Sequence, residues 1–200
     1  MSSSVYYCMY YLMNPGLIAT YMLVISISGM VGVMVLMPIL LRKVKGSMKK
    51  AVTMTQSIAI VCYLILFFVG GKSIPALYVL TFIACMFSTM TNAFRPMTVF
   101  GMTDYVYKTT GDQLNGTISA IGGFSYKCGT AISNAILAGV LAATGYIANA
   151  IGQEPEAVLI GINSVRFLVP LAASVLYIIF IQFYPEKKMQ ELAANSEKSN

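Results

Sequence analysis

Long apolar segments with almost no charge are the feature that most constrains this fold. One of them, residues 116–144, contains a single charged residue, Lys127. A helix needs about 20 apolar residues to cross the hydrocarbon core of a bilayer, so this segment is predicted to span a membrane. A lysine near the middle of a span costs about 2.5–3.5 kcal/mol on insertion scales. The sequence therefore predicts that Lys127 faces a polar pathway or a protein interior that provides a partner.

Composition supports a membrane location for the whole chain. It is 58% hydrophobic and only 10% charged, whereas soluble domains carry about 25% charged residues. The net charge of +6 arises largely from one short basic segment, because five of the thirteen Lys and Arg lie in residues 42–50. We therefore expect a lipid bilayer, and no nucleic acid, as the partner of these charges.

The residues of metal and acid–base chemistry are scarce. Histidine is absent, and the four cysteines lie in apolar stretches without metal-ligand spacing. No span contains a pair of carboxylates, and no nucleophile motif is present. The chain is therefore predicted not to be an enzyme and to need no cofactor or metal.

Five segments are long and apolar enough to cross a bilayer. They are residues 17–41, 51–69, 74–101, 116–144 and 167–183. A shorter apolar stretch, residues 5–13, is interpreted as the end of a sixth helix. The prediction is an all-α, multi-pass integral membrane protein, with a transmembrane bundle over residues 1–184 and a tail over residues 185–200.

The charges in the connections predict the orientation. The basic segment 42–50 and the tail should be cytoplasmic, because cytoplasmic loops are enriched in Lys and Arg. Residues 104–115 are predicted to form a second cytoplasmic loop. Residues 145–164 carry Glu154 and Glu156 without Lys or Arg, so this loop should be external. We expect a plasma-membrane protein with its C-terminus in the cytoplasm.

The segment around Lys127 has one face of small and polar side chains. Steps of three and four residues give Gly116, Ala120, Gly123, Lys127, Ala131, Asn134 and Ala138. Small residues allow close helix approach or leave room for a cavity. Asn134 adds a polar group about two turns from the lysine. A purely structural lysine, bonded to a carboxylate or to helix carbonyls, is the alternative.

A second polar group lies near the end of the 74–101 segment. Pro96 removes one backbone hydrogen bond and can kink the helix, freeing carbonyls near Asn92. Arg95 lies about 13 Å of helix from Asp104, a depth that is hard to reach by snorkelling. It either faces a pore and orients a polar substrate or pairs with a carboxylate on a missing helix.

Several motifs resemble one transporter family. Asp104-Tyr105, Lys108 and Gly111 are followed 23 residues after the aspartate by Lys127, within residues 125–131 of sequence Ser-Tyr-Lys-Cys-Gly-Thr-Ala. This pattern resembles the melibiose-permease-like, glycoside-pentoside-hexuronide (GPH):cation symporters of the major facilitator superfamily. The external loop 145–149, residues 156–162 and Phe183-Tyr184-Pro185 are also similar. The likeness covers nearly the whole chain, but only the C-terminal half of a family member.

The resemblance implies a fold and a function. It implies half of a major-facilitator bundle, with a sugar or glycoside bound between two six-helix halves and taken up together with Na⁺, Li⁺ or H⁺. Lys127 and its neighbour Tyr126 would lie near the sugar and cation sites, and Asp104 in the conserved loop. The N-terminal six-helix half, which carries the cation-binding carboxylates and most sugar contacts in the family, would be a missing partner. The alternative is a non-transporting remnant, or a scaffold subunit of a membrane complex.

Overall fold

The computed structural model describes residues 2–112, 114–147 and 155–191. The described elements are helices. They are α1 (Ser2–Tyr6), α2 (Leu17–Val31), α3 (Met37–Lys43), α4 (Met48–Val69), α5 (Ile74–Thr110), α6 (Asn115–Thr144) and α7 (Glu156–Ile181). A π-helical turn, Tyr7–Tyr11, follows α1, and another, Gly32–Leu36, joins α2 to α3.

Five helices among the described residues are long and apolar enough to cross a membrane. They are Leu17–Lys43, which combines α2 and α3, and the helices α4, α5, α6 and α7. The prediction of an all-α, multi-pass membrane bundle is therefore confirmed. The π-helical turn after α1 packs against α7 through an aromatic ring, with Tyr7 edge-on to Phe167 at 5.2 Å between centroids.

Helix α5 is longer than predicted. It continues through Pro96 and ends at Thr110, so residues 104–110, predicted as part of a loop, are helical. The Lys108 ammonium lies 2.9 Å from the Asp104 carboxylate, an ion pair with the i,i+4 spacing that stabilises a helix. Gly111 then ends the helix with a φ of +78°, a conformation that glycine adopts without strain.

Helix α7 begins eleven residues before the predicted start of the last span. It runs from Glu156, so the prediction of an external loop over residues 145–164 is wrong from residue 156 onward. Glu154 lies outside the described residues. The early start places Arg166 inside a membrane-spanning helix, whereas the predicted loop ended at residue 164 and the predicted span began at residue 167.

Helix α4 is the centre of the bundle and packs most extensively on α5 and α7. The buried side chains form two apolar clusters. One contains Tyr7, Tyr21, Leu66, Ile162 and Phe167, and the other contains Met37, Val52, Met90, Phe94 and Ile181. Gly32 allows the α2–α3 helix to approach α5 closely, since a Cβ there would overlap the Met86 carbonyl oxygen.

Helix α6 is the least covered of the five spans. Only Leu137 and Leu141 are buried among its residues. Its C-terminal part packs against α7, where Gly161 leaves room for Val140 and Thr144. The rest of α6 makes few contacts, mainly with α5, so one long face remains open.

Candidate functional site

The small-residue face predicted around Lys127 is the open face of α6. All seven of its predicted members are exposed: Gly116, Ala120, Gly123, Lys127, Ala131, Asn134 and Ala138. The Lys127 ammonium makes no hydrogen bond or ion pair within the part of the chain that the structure describes. The same is true of the Asn134 side chain. The face therefore presents a cation and an amide that the described bundle does not satisfy.

Arg95 joins α5 to α6. Its Nη2 donates a hydrogen bond to the backbone carbonyl of Gly122. Its guanidinium carbon lies 4.9 Å from the centroid of the Tyr126 ring, a cation–π geometry. The partners of Arg95 among the described residues are thus a carbonyl and an aromatic face. The described residues include no carboxylate partner for Arg95, and the predicted alternative, a carboxylate on a missing helix, stays a prediction.

The predicted site residues form one group near the middle of the spans. Tyr126, held by Arg95, directly precedes Lys127, and Asn92 lies exposed one turn before Arg95 on α5. On α6, Lys127 therefore directly follows the tyrosine whose ring Arg95 contacts from α5. The described parts of the spans provide no acid near these two cations. This group is electropositive and rich in hydrogen-bond donors.

Asp104 lies apart from that group. It is nine residues beyond Arg95 on α5, which corresponds to about 13 Å along the helix. It lines a cavity of about 360 Å³ with Thr103, Tyr107 and Asn115. Asp104 is therefore at the end of the bundle, at the junction between α5 and α6, where it pairs with Lys108.

The sequence analysis missed a buried cation on α7. Arg166 is buried in α7 and donates a hydrogen bond to the Tyr21 hydroxyl at 3.0 Å. Its guanidinium carbon lies 5.5 Å from the Tyr21 ring centroid and 5.3 Å from that of Phe167. The apolar run of residues 157–162 before Arg166 was the available signal, because it extends the last span across the arginine.

This arrangement defines a class of protein. Membrane-spanning helices that present an unpartnered lysine and exposed asparagine side chains at mid-span depth are typical of membrane-transporter bundles. The chain belongs to the MFS/sugar transport protein family, whose sequence profile matches residues 1–188.

Two curated relatives are symporters or carriers by name. The chain is 31% identical over 194 residues to the glucuronide carrier protein homolog of Escherichia coli (strain K12), covering 96% of this chain and 41% of that protein. It is 30% identical over 200 residues to the uncharacterized symporter YnaJ of Bacillus subtilis (strain 168), covering 98% and 42%. The chain thus spans about two-fifths of the length of these relatives. No solved structure gives a significant match.

Proposed function

We propose that this chain forms one half of the sugar pathway of a secondary active symporter in the plasma membrane. In this proposal it transports a sugar or glycoside together with Na⁺, Li⁺ or H⁺. The observation that carries the proposal is Lys127, a cation in a membrane-spanning helix that is exposed and without a partner among the described residues.

A lysine in that position is unfavourable against lipid. The cost of several kcal/mol is avoided when the open face of α6 lies against a second helical bundle or a water-filled cavity. The glycines and alanines along the face permit such a close approach. A second six-helix half, supplied by the same polypeptide or by a separate one, therefore completes the proposed transporter.

The polar residues on this face suit a sugar. Asn92 and Asn134 offer amide donors and acceptors for hydroxyl groups, and the Tyr126 ring offers an apolar face for a pyranose ring. Lys127 and Arg95 add positive charge that no acid in the described spans neutralises. A glycoside that carries a carboxylate, such as a glucuronide, would supply the negative charge that balances these cations. The name of the Escherichia coli relative supports the same substrate class.

Cation coupling requires carboxylates or other oxygen ligands near the sugar. The described spans of this chain hold no carboxylate beside Lys127, so in this proposal the second bundle supplies the carboxylates. Alternating access would then rock the two bundles against each other around the shared mid-membrane site. The Arg95 contacts to Gly122 and Tyr126 would keep α5 and α6 together during that movement.

Counterflow of radiolabelled glucuronide and of a neutral glycoside tests the proposal. Membrane vesicles from cells that produce the chain with its natural membrane partners are assayed with Na⁺ or a proton gradient. We expect Lys127→Gln to lower glucuronide counterflow at least about tenfold, equivalent to about 1.4 kcal/mol. Lys72→Gln, a matched change in the exposed turn between α4 and α5, should have no effect.

The outcomes separate transport from scaffolding. Equal counterflow in the Lys127→Gln and unaltered proteins, at equal amounts in the membrane, would contradict the proposed role of the lysine. Absence of counterflow for every glycoside, in vesicles where cross-linking shows the α6 face covered by another helix, would favour the scaffold alternative.

A further inference from the structure

An open groove of about 1240 Å³ lies at the end of the bundle where α3 ends, α4 begins and α7 ends. Six lysines line it: Lys43, Lys45, Lys49, Lys50, Lys187 and Lys188. We call it the basic groove. It is separate from the open face of α6, which contributes no lining residue.

The carboxylate in the groove is already engaged. Glu186 accepts hydrogen bonds from the backbone amide of Met48 at 2.6 Å and that of Lys49 at 3.4 Å. It also accepts one from the Ser47 hydroxyl at 3.0 Å. These donors are the free amides of the first turn of α4, which favour a negative charge. Glu186 therefore stabilises the start of α4 and does not neutralise the charge of the lysine ammoniums.

Five of the six lysines lack a protein partner. The Lys49 ammonium donates to the Gln182 carbonyl at 2.6 Å. The other five make no hydrogen bond or ion pair within the described ranges. Burial raises the pKa of Tyr184, and the Glu186 carboxylate raises it further, so this phenol stays neutral and does not offset them. The groove therefore concentrates positive charge that no carboxylate of the described residues balances.

We propose that the basic groove binds the phosphate headgroup of an anionic phospholipid, such as phosphatidylglycerol. The position of the groove fits a headgroup, because the groove lies at the ends of three spanning segments, which is the level of lipid headgroups. Clusters of four to eight lysines immediately outside a spanning helix attract anionic lipids. The lining residues Met54 and Phe183 are exposed apolar side chains that would contact the first carbons of the acyl chains.

Thermal unfolding of the detergent-solubilised chain tests the proposal. A thiol-reactive fluorogenic maleimide reports unfolding, because Cys8, Cys62 and Cys85 are buried. Dioleoylphosphatidylglycerol should raise the midpoint, whereas dioleoylphosphatidylcholine and inorganic phosphate at the same concentration should not. An equal shift with phosphatidylcholine would overturn the charge-based site. An equal shift with inorganic phosphate would overturn the assignment to a lipid.

Matched triple variants test the location. Lys45→Gln/Lys187→Gln/Lys188→Gln should weaken the apparent affinity for phosphatidylglycerol by roughly tenfold or more. Arg42→Gln/Lys72→Gln/Lys108→Gln removes three charges outside the groove lining and should bind as the unaltered chain does. Equal affinity in the two triple variants would overturn the proposal.

A measurement on the unaltered chain covers the case in which the first triple variant fails to fold. Photoactivatable phosphatidylglycerol, with its reactive group near the headgroup, should label peptides containing residues 43–54 and 182–190. Labelling spread evenly over the ends of all spans would overturn the proposed site.

Discussion

The Arg166 guanidinium in α7 donates a hydrogen bond to the Tyr21 hydroxyl in α2 over 3.0 Å. The same hydroxyl lies 3.3 Å from the Thr81 hydroxyl in α5, so one phenol connects three spanning helices. The guanidinium is buried, and the ion pairs of the described residues include none to Arg166. A neutral hydroxyl and two aromatic faces thus hold a charge inside the bundle.

Removal of the Tyr21 hydroxyl should destabilise the bundle. We expect Tyr21→Phe to cost about 1.5–3 kcal/mol, because it deprives a buried charged donor of its acceptor. The measurement is the thermal midpoint or the free energy of unfolding in detergent.

Tyr78→Phe is the matched control for that change. The Tyr78 hydroxyl is buried and has no hydrogen-bond partner in the described structure, so its loss should be neutral or slightly stabilising. Equal losses for the two variants would show that the Arg166 hydrogen bond is unimportant.

The close approach of α2–α3 to α5 predicts a strong effect at Gly32. A methyl group at Gly32 would collide with the Met86 carbonyl oxygen, which is backbone and cannot rotate away. We expect Gly32→Ala to cost about 1–3 kcal/mol through overpacking, measured as the unfolding midpoint.

Gly139 on α6 provides the contrast, since a Cβ there meets nothing within 4 Å. Gly139→Ala should be neutral or stabilise the chain by up to about 1 kcal/mol, because alanine loses less conformational entropy in a helix. Two variants of equal stability would contradict the packing described for Gly32.

The carboxylate of Glu186 predicts a link between the end of α7 and the start of α4. Glu186→Gln keeps the shape of the side chain but removes the charge from the free amides of α4. The expected loss is about 0.5–2 kcal/mol, the range for helix capping. Glu191→Gln, at an exposed position nearby, should leave the unfolding midpoint unchanged. A larger effect at Glu191 than at Glu186 would exclude the proposed cap.

The Arg95–Tyr126 contact predicts a difference between two aromatic residues on α6. Tyr126→Ala should lower stability by about 0.5–2 kcal/mol, because it removes the ring under the guanidinium. Tyr126→Phe keeps the ring and should retain most of that stability. Phe124→Ala removes an exposed ring that makes no aromatic contact among the described residues, and it should have little effect on stability. A Phe124→Ala loss as large as that of Tyr126→Ala would count against the cation–π link.

Hydrophobicity alone predicted the spans, but it did not predict where a helix begins or ends when charged residues lie near that end. The α4 end at Val69 and the α6 end at Thr144 agree with the sequence analysis, since both precede glycines that begin turns. The predicted end of α5 was wrong because the helix extends beyond the apolar segment, where Asp104 and Lys108 form an ion pair. The predicted start of α7 was wrong because Arg166 interrupts the apolar pattern, while its hydrogen-bond acceptor, Tyr21, lies 145 positions away in sequence.

In the candidate site, too, local sequence predicted some features and did not predict others. The small-residue face around Lys127 was predicted from helical periodicity, which is a local property. Exposure does not single this face out, because bulky residues of α6 such as Ile121 and Phe124 are exposed as well. The partners of Arg95, by contrast, depend on how α5 and α6 pack. Gly122 and Tyr126 lie 27 and 31 positions from Arg95, and nothing in the intervening residues specifies that contact.

The hydrogen bond between Tyr21 and Arg166 also bears on the order of membrane insertion. Tyr21 precedes Arg166 by 145 positions, so α2 leaves the ribosome and enters the bilayer well before the charged helix does. The acceptor for the guanidinium is in place when α7 arrives at the translocon. Insertion of α7 is therefore coupled to correct placement of α2, and a bundle with a misplaced α2 would leave α7 without a stable position in the lipid.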